Sequence, residues 1–222
     1  MDQGLLGTGV LAIWNGIAPG KESDFLRWHV GEHIPERIGV PGFLRARRYF
    51  ALEGEPAYFN FYEVETPEVL LSAAYLERLN DPSDLTRAIV PHFTDTSRTL
   101  CDVAATRSIG VAGTVLTLRF DETVLDAAGI SERLASAPDV SGVHCLMRTY
   151  NGPSDTSESK MRRERDGSSA AIVLVESASP NALRSINRSV LDATGLSDFG
   201  LPSPTHRGIY QLDYLLAALA AD

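Results

Sequence analysis

The chain has 222 residues, 44% hydrophobic and 22% charged, the balance of an ordinary globular protein with one large or two small domains. Its net charge of −9 argues against a duplex nucleic-acid binder and against polybasic contact with a membrane. The first apolar run is broken by Gly7, Gly9 and Asn15, so neither a signal peptide nor a membrane span is expected. Cys101 and Cys145 lack CxxC spacing and are expected as buried, reduced thiols of a cytoplasmic protein, with a disulfide as the alternative.

Residues 9–17 (GVLAIWNGI) read as a first strand. Pro19 and Gly20 turn the chain, Ser23 or Asp24 is placed to cap a helix, and that helix ends near Ile38. Gly39 is expected in the left-handed conformation past the helix end, with Pro41 blocking continuation. Residues 43–52 and 57–65 are aromatic-rich strands joined by the polar hairpin Glu53-Gly54-Glu55-Pro56. Helix follows from Pro67 to Leu79, Asp81-Pro82-Ser83-Asp84 reads as the cap of a further turn or two, and strand returns over 96–109. The order is βαββαβ, a ferredoxin-like arrangement.

The second half repeats it: strand 114–120, helix 121–137 weakened by Gly129, strands 142–150 and 169–176, helix from Ser179-Pro180, strand 207–216. A shift of 100 aligns Pro41-Gly42-Phe43 with Ser141-Gly142-Val143 and Arg48 with Arg148, and a shift of 111 aligns Glu65 with Glu176. The difference falls in 151–168, a polar and charged stretch expected as a mobile surface loop. A βαββαβ unit covers one sheet face with helices and leaves the other bare, so two units bury both faces by packing sheet to sheet. The expected fold is α+β: two tandem ferredoxin-like units, residues 1–110 and 111–222, packed as a fused dimeric α/β barrel. Such a fused chain is free to pair again as a homodimer.

The run Phe25, Trp28, His33-Ile-Pro35, Pro41-Gly42-Phe43 and Arg48-Tyr49 resembles the EthD-like members of the dimeric α/β-barrel superfamily. The match covers roughly residues 9–107, with the second half a degenerate copy that puts Arg133 and Gly129 in the places of His33 and His29. The resemblance implies an enzyme working without a cofactor on a small apolar carbonyl or aromatic acid. Isomerase, cyclase, decarboxylase and oxygenase types are all open, and haem enzymes also occur among such barrels. It carries the family's helix histidine onto His33.

The residues themselves point to the same place. His29 and His33 lie four apart on one helix face, and a partly buried imidazole serves as general acid or base. Glu32 and Glu36 are close enough to orient a ring. The spelling His29-x-x-Glu32-His33 also occurs in zinc peptidases, but a downstream Glu-bearing helix is missing and no metal is expected. Tyr49 joins the two histidines as a catalytic candidate. Trp14, Trp28, Tyr58, Tyr62, Arg47 and His92 are candidates to line a substrate pocket, with Arg47 available for a carboxylate. Strand alternation puts Tyr58, Asn60 and Tyr62 on one face and Phe59 and Phe61 on the other. The rival readings are a binding module that holds a hydrophobic small molecule without turnover, and a haem- or metal-dependent barrel.

Overall fold

A computed structural model describes residues 4–123, 126–150 and 155–219, with only the backbone of residue 150. Parts of the expected N-terminal segment, of the 121–137 helix and of the 151–168 loop lie outside the described residues. Eight antiparallel strands close into a barrel: β1 (Gly9–Ile17), β2 (Phe43–Glu53), β3 (Tyr58–Val64), β4 (Phe93–Ser108), β5 (Thr114–Phe120), β6 (Gly142–Tyr150), β7 (Ala171–Ser177) and β8 (His206–Ala217). The order around the barrel is β1-β3-β2-β8-β5-β7-β6-β4. The first four strands and the last four thus follow the same sequence of neighbours, joined where β2 meets β8 and β4 meets β6.

Period-2 alternation decides what faces where. Phe59 and Phe61 point inward, packing with Val10, Ala12, Trp14, Tyr49, Val115, Ile172, Leu174 and Tyr210 in the barrel interior. Tyr62, one residue out of phase, lies under the helices with Leu11, Ile34, Phe43 and Tyr75. One barrel end is closed by ions. Arg47 lies 3.0 Å from Glu63 and 2.5 Å from Glu176, Arg45 makes two hydrogen bonds to Glu63, and the His144 ring lies between Glu176 and Thr106. Burial raises the Glu176 carboxyl, but Arg47, then His144 and the Ala112 N–H, hold it at about 2.

The register corrects the expected match between halves. Glu63 faces Val10 and Glu176 faces Val115, so Glu63, not Glu65, holds the place in the first half that Glu176 holds in the second. Arg47 faces Phe61 as His144 faces Leu174, and Arg48 faces Asn60 as Cys145 faces Val173, so the counterpart of Arg48 is Cys145 and not Arg148. A bulge between Phe43 and Arg45, with no counterpart where β6 pairs with β7, moves the count by one residue.

Helices cover the outside. The first is α1 (Glu22–Trp28), which runs through a π-helical turn, His29–His33, into α2 (Ile34–Ile38). Its N-cap is Lys21 without a side-chain bond, so neither Ser23 nor Asp24 caps it. Gly39 stays right-handed at φ −72°, and the left-handed residue is Gly42 at φ 91°. After a 3₁₀ turn at Pro67–Leu71 come α3 (Ala73–Asn80), capped by Ser72, and α4 (Asp84–Ile89), capped by Ser83. In the second half α5 (Ala127–Ala135) is shorter than expected because Asp126 caps it, accepting from the Gly129 N–H at 2.9 Å. A Cβ at Gly129 would lie 2.2 Å from that carboxylate, so glycine belongs in this first turn. A short helix α6 (Ser157–Met161) lies in the expected loop, followed by α7 (Pro180–Ser189) and the unanticipated α8 (Ala193–Asp198). Both cysteines are buried and free, Cys101 in the barrel interior and Cys145 under the second helix layer. Among the described residues no helix is long and apolar enough to cross a membrane.

Candidate functional site

Pro35 shapes the site. It has no N–H to give to the Gly31 carbonyl and its ring crowds that oxygen. The helix answers by widening: the Ile34 N–H bonds the His29 carbonyl, five residues back, in a single π turn. His29 and His33 occupy the two ends of that turn. Their rings stack at 5.4 Å between centroids and 20° between planes, with Phe25 stacked on His29 at 5.0 Å and Trp28 against His33 at 4.4 Å. The Trp28 indole N–H donates to Thr86 at 3.1 Å, pinning this wall to α4.

Both histidines are buried and border a cavity of about 30 Å³ between the helices and the outer face of β1, β3 and β4. The sheet contributes Asn15, Asn60 and Tyr62, whose hydroxyl lies 3.4 Å from His29 Nε2. Three arginines line it: Arg37, Arg98 and Arg162. Burial first, then Arg48 and Arg37, pull the His29 pKa well below its ordinary value; burial, Arg37 and His29 do the same for His33. Both rings are therefore neutral near pH 7. Burial pushes the Tyr62 hydroxyl upward, so it stays protonated.

Arg37 bonds Glu158 at 2.6 Å, and Arg162 makes paired bonds of 2.7 and 2.8 Å to Asp166. Arg98 donates to the Tyr75 hydroxyl at 2.9 Å and, among the described residues, has no carboxylate partner. Seven buried side-chain polar atoms lack a partner among the described residues, and four belong to this cavity: His29 Nδ1, His33 Nδ1, Arg37 Nη1 and Asn60 Oδ1. Buried polar groups are normally satisfied, so such a concentration marks a place built for something other than packing.

The expected surface loop supplies the cover. Thr156 and Ser159 form a reciprocal capping box at α6, the Ser157 N–H donates to Asn80, and Glu158 reaches Arg37. Gly167 exchanges backbone bonds of 2.8 Å with Thr96 and Arg98, extending the sheet edge beside the cavity. Residues 155–168 are thus a strap across the site.

Of the sequence candidates, His29, His33, Trp28 and Tyr62 meet at the cavity. Tyr58 packs beside Phe25 in the adjoining apolar cluster. His92 ends a 3₁₀ turn, its carbonyl accepting from Ala18, and does not line the cavity. Trp14, Tyr49 and Arg47 lie on the other side of the sheet, inside the barrel, where Arg47 donates to Tyr49 at 3.1 Å and is held by two glutamates. Glu32 accepts from Ser83 rather than from a histidine. Arg37, Asn60, Arg98, Glu158 and Arg162 were not singled out. A charged residue one turn past His33 and an asparagine between two tyrosines were the available signals for the first two. Among the described residues no three His, Cys, Asp or Glu side chains gather as a metal site. In its closed form, at about 30 Å³, the space holds neither a haem nor an aromatic substrate, since ligand pockets run to roughly 300–1,000 Å³.

No protein-family model matches the chain, and no curated protein matches it. Solved structures do. An anthrone oxidase-like protein aligns over 100% of this chain and 97% of its own, with 16% identity and a TM-score of 0.67. This is the dimeric α/β-barrel fold. Two further barrels agree: a monooxygenase-like protein from Fusobacterium nucleatum (10% identity, TM-score 0.56, 96% of each chain) and a chlorite dismutase-like protein (12%, 0.56, 94% and 96%). These likenesses span the whole length of the chain, so the α/β-barrel neighbours share both halves with it.

Proposed function

We propose that this barrel is a cofactor-independent, EthD-like enzyme that moves a proton on a small aromatic or enolisable carbonyl compound. In this reading two ferredoxin-like units are fused: residues 1–110 carry the site, and residues 111–222 act as scaffold and lend the strap. The observation that carries it is the pair of stacked, buried, neutral imidazoles in a cavity whose arginines outnumber its carboxylates.

His33 takes the proton from the acidic C–H or O–H. The anion left behind faces Arg98, whose charge is otherwise uncompensated, and Arg37; such fixed charges stabilise an oxyanion strongly away from water. The forming anion in turn stabilises the imidazolium, lifting the pKa that burial had lowered. His29, stacked on His33 and beside the Tyr62 hydroxyl, orients the ring. Substrate entry requires the strap to lift, because about 30 Å³ holds one water and no more. The α/β-barrel neighbours support an oxygenation variant, in which the substrate carbanion itself reduces dioxygen.

The test is turnover of anthrone in air, where anthrone plus dioxygen gives anthraquinone plus water, followed by absorbance and oxygen uptake. Wild type is expected to accelerate the reaction and His33→Gln to lose the rate while keeping binding. Binding without turnover by wild type would make the protein a carrier, and neither would withdraw the proposal for this substrate class.

A further inference from the structure

The two barrel ends differ. One is plugged by the Arg47–Glu63–Glu176 ions, whereas the other holds a cavity of about 310 Å³ where the β2–β3 turn, the start of β4, the end of β5, the strap's tail and the start of β8 converge. Arg119 lies at its floor. Only 3% of this residue is exposed, and its guanidinium sits 4.7 Å over the Trp14 ring, itself stacked on Phe59 at 4.4 Å. The plane is held in place from behind by aromatic surface.

What the guanidinium lacks is an acceptor. Arg37, Arg45, Arg47 and Arg48 each meet a carboxylate. Among the described residues nothing accepts a hydrogen bond from the Arg119 side chain, and no carboxylate lies within ion-pair distance. A buried guanidinium without an anion is costly, and the fold spends that cost on one that faces a cavity. Burial also lowers its pKa, as expected of a charge short of compensation. Three carboxylates line the same cavity: Glu55, Asp95 and Asp121. His206 beside them is kept neutral near pH 7 by burial and by Arg119. A simple anion would meet Arg119 and be repelled by the rest; a simple cation would face the reverse.

We propose that this barrel mouth binds a small zwitterion of the amino-carboxylic class, its carboxylate on Arg119 and its ammonium toward the Asp95, Asp121 and Glu55 carboxylates. The site is separate from the histidine cavity and does not depend on the function proposed for it. Its volume lies at the lower end of the range of known ligand pockets, roughly 300–1,000 Å³.

Isothermal titration of the full chain at low salt tests it, with glycine, β-alanine and 4-aminobutyrate as zwitterions and acetate and butylamine as single-charge controls. At least one zwitterion is expected to bind about tenfold or more tighter than either control. Arg119→Met, which keeps the stack on Trp14, is expected to abolish that binding. Asp121→Asn is expected to weaken the zwitterion and strengthen acetate. Acetate or butylamine binding as well as the best zwitterion, or no zwitterion binding at millimolar concentration, overturns the proposal. So does an Arg119→Met protein that binds like wild type. If that variant does not fold, the exposed-rim variant Asp121→Asn decides alone, and an unchanged zwitterion-to-acetate preference overturns the proposal.

Discussion

The two helix layers around this barrel are built to different specifications. Over β5–β8 the layer is dry and aliphatic: Leu116, Leu118, Ile130, Leu134, Val143, Val173, Val175, Leu183 and Ile186 close on one another. Over β1–β4, the corresponding layer interrupts its apolar core with His29, His33, Arg37 and Asn60, and leaves polar atoms of all four without partners among the described residues. Each such atom costs about 1–3 kcal/mol when buried, so folding alone would favour the second layer's solution twice over. The fold shows what a stable version looks like, and departs from it on one side only. Local rules broken at a cost are where function is expected.

The sharpest way to break the comparison is to show that both layers matter equally for turnover. His33→Gln is expected to lower kcat/KM about 10²–10⁴-fold in the assay above with unchanged circular dichroism. Leu134→Ala should leave kcat within error. Its effect belongs to stability: about 2–5 kcal/mol off the free energy of unfolding in urea, because the methylenes removed leave a void in a packed aliphatic layer. A large kcat loss in Leu134→Ala would dissolve the division of labour.

The strap is where the second half touches the first half's site. Glu158→Gln weakens the ionic latch to Arg37, and is expected to cost about 1.5–3 kcal/mol, the range for a hydrogen bond between charged groups. The more telling readout is fluorescence quenching by acrylamide. Trp14 is fully buried in the barrel, so any rise in quenching reports Trp28 under the strap. Unchanged quenching would mean the strap is a fixed wall.

How much of this was written in the chain depends on distance. Alternation in β3 sorted Tyr58, Asn60 and Tyr62 from Phe59 and Phe61, because side-chain direction along a strand is a local property. The same rule applied to β2 puts Arg47 inside and Arg48 outside, and so away from the histidines whatever its charge suggests. The π turn is legible in hindsight, since a proline two residues past His33 must disturb the carbonyl at Gly31. Glu158 was not legible: it lies 121 positions from Arg37 in a segment whose composition says loop. Nor was the register between halves, where Glu63 rather than Glu65 answers Glu176 and a bulge in β2 moves the count by a further residue. Arg119 left a faint sign, an arginine in phase with Val115 and Thr117 on an otherwise apolar strand.

The two layers should also part in their response to acid. A histidine whose pKa is depressed on folding gives stability that is full above its unfolded value, near 6.5, and lost as pH falls below it, because the unfolded chain then binds the proton more readily. Stability is therefore expected to fall from about pH 6.5 downward, at about 1.4 kcal/mol for each unit of depression. The drop should steepen again below pH 4.5, as Glu176, at about 2 in the folded chain, is protonated in the unfolded one first. The double variant His29→Gln, His33→Gln should flatten the upper limb and leave the lower one. A flat wild-type curve between pH 6.5 and 5 would show the imidazoles to be less secluded than their burial implies.

The smallest expected effect carries its information in the sign. His33→Leu removes a buried ring nitrogen that has no partner among the described residues and replaces it with the side chain the other layer would use. Exchanging an unsatisfied polar group for an apolar one of similar size is neutral or stabilising, here by up to about 1 kcal/mol, even though the ring contact with Trp28 is lost. Thermal unfolding of the variant beside wild type measures it. Stabilisation together with lost turnover would mean that His33 is held in place against the preference of the fold. A clear loss of stability would make His33 a packing residue after all, and the two layers would differ only in composition.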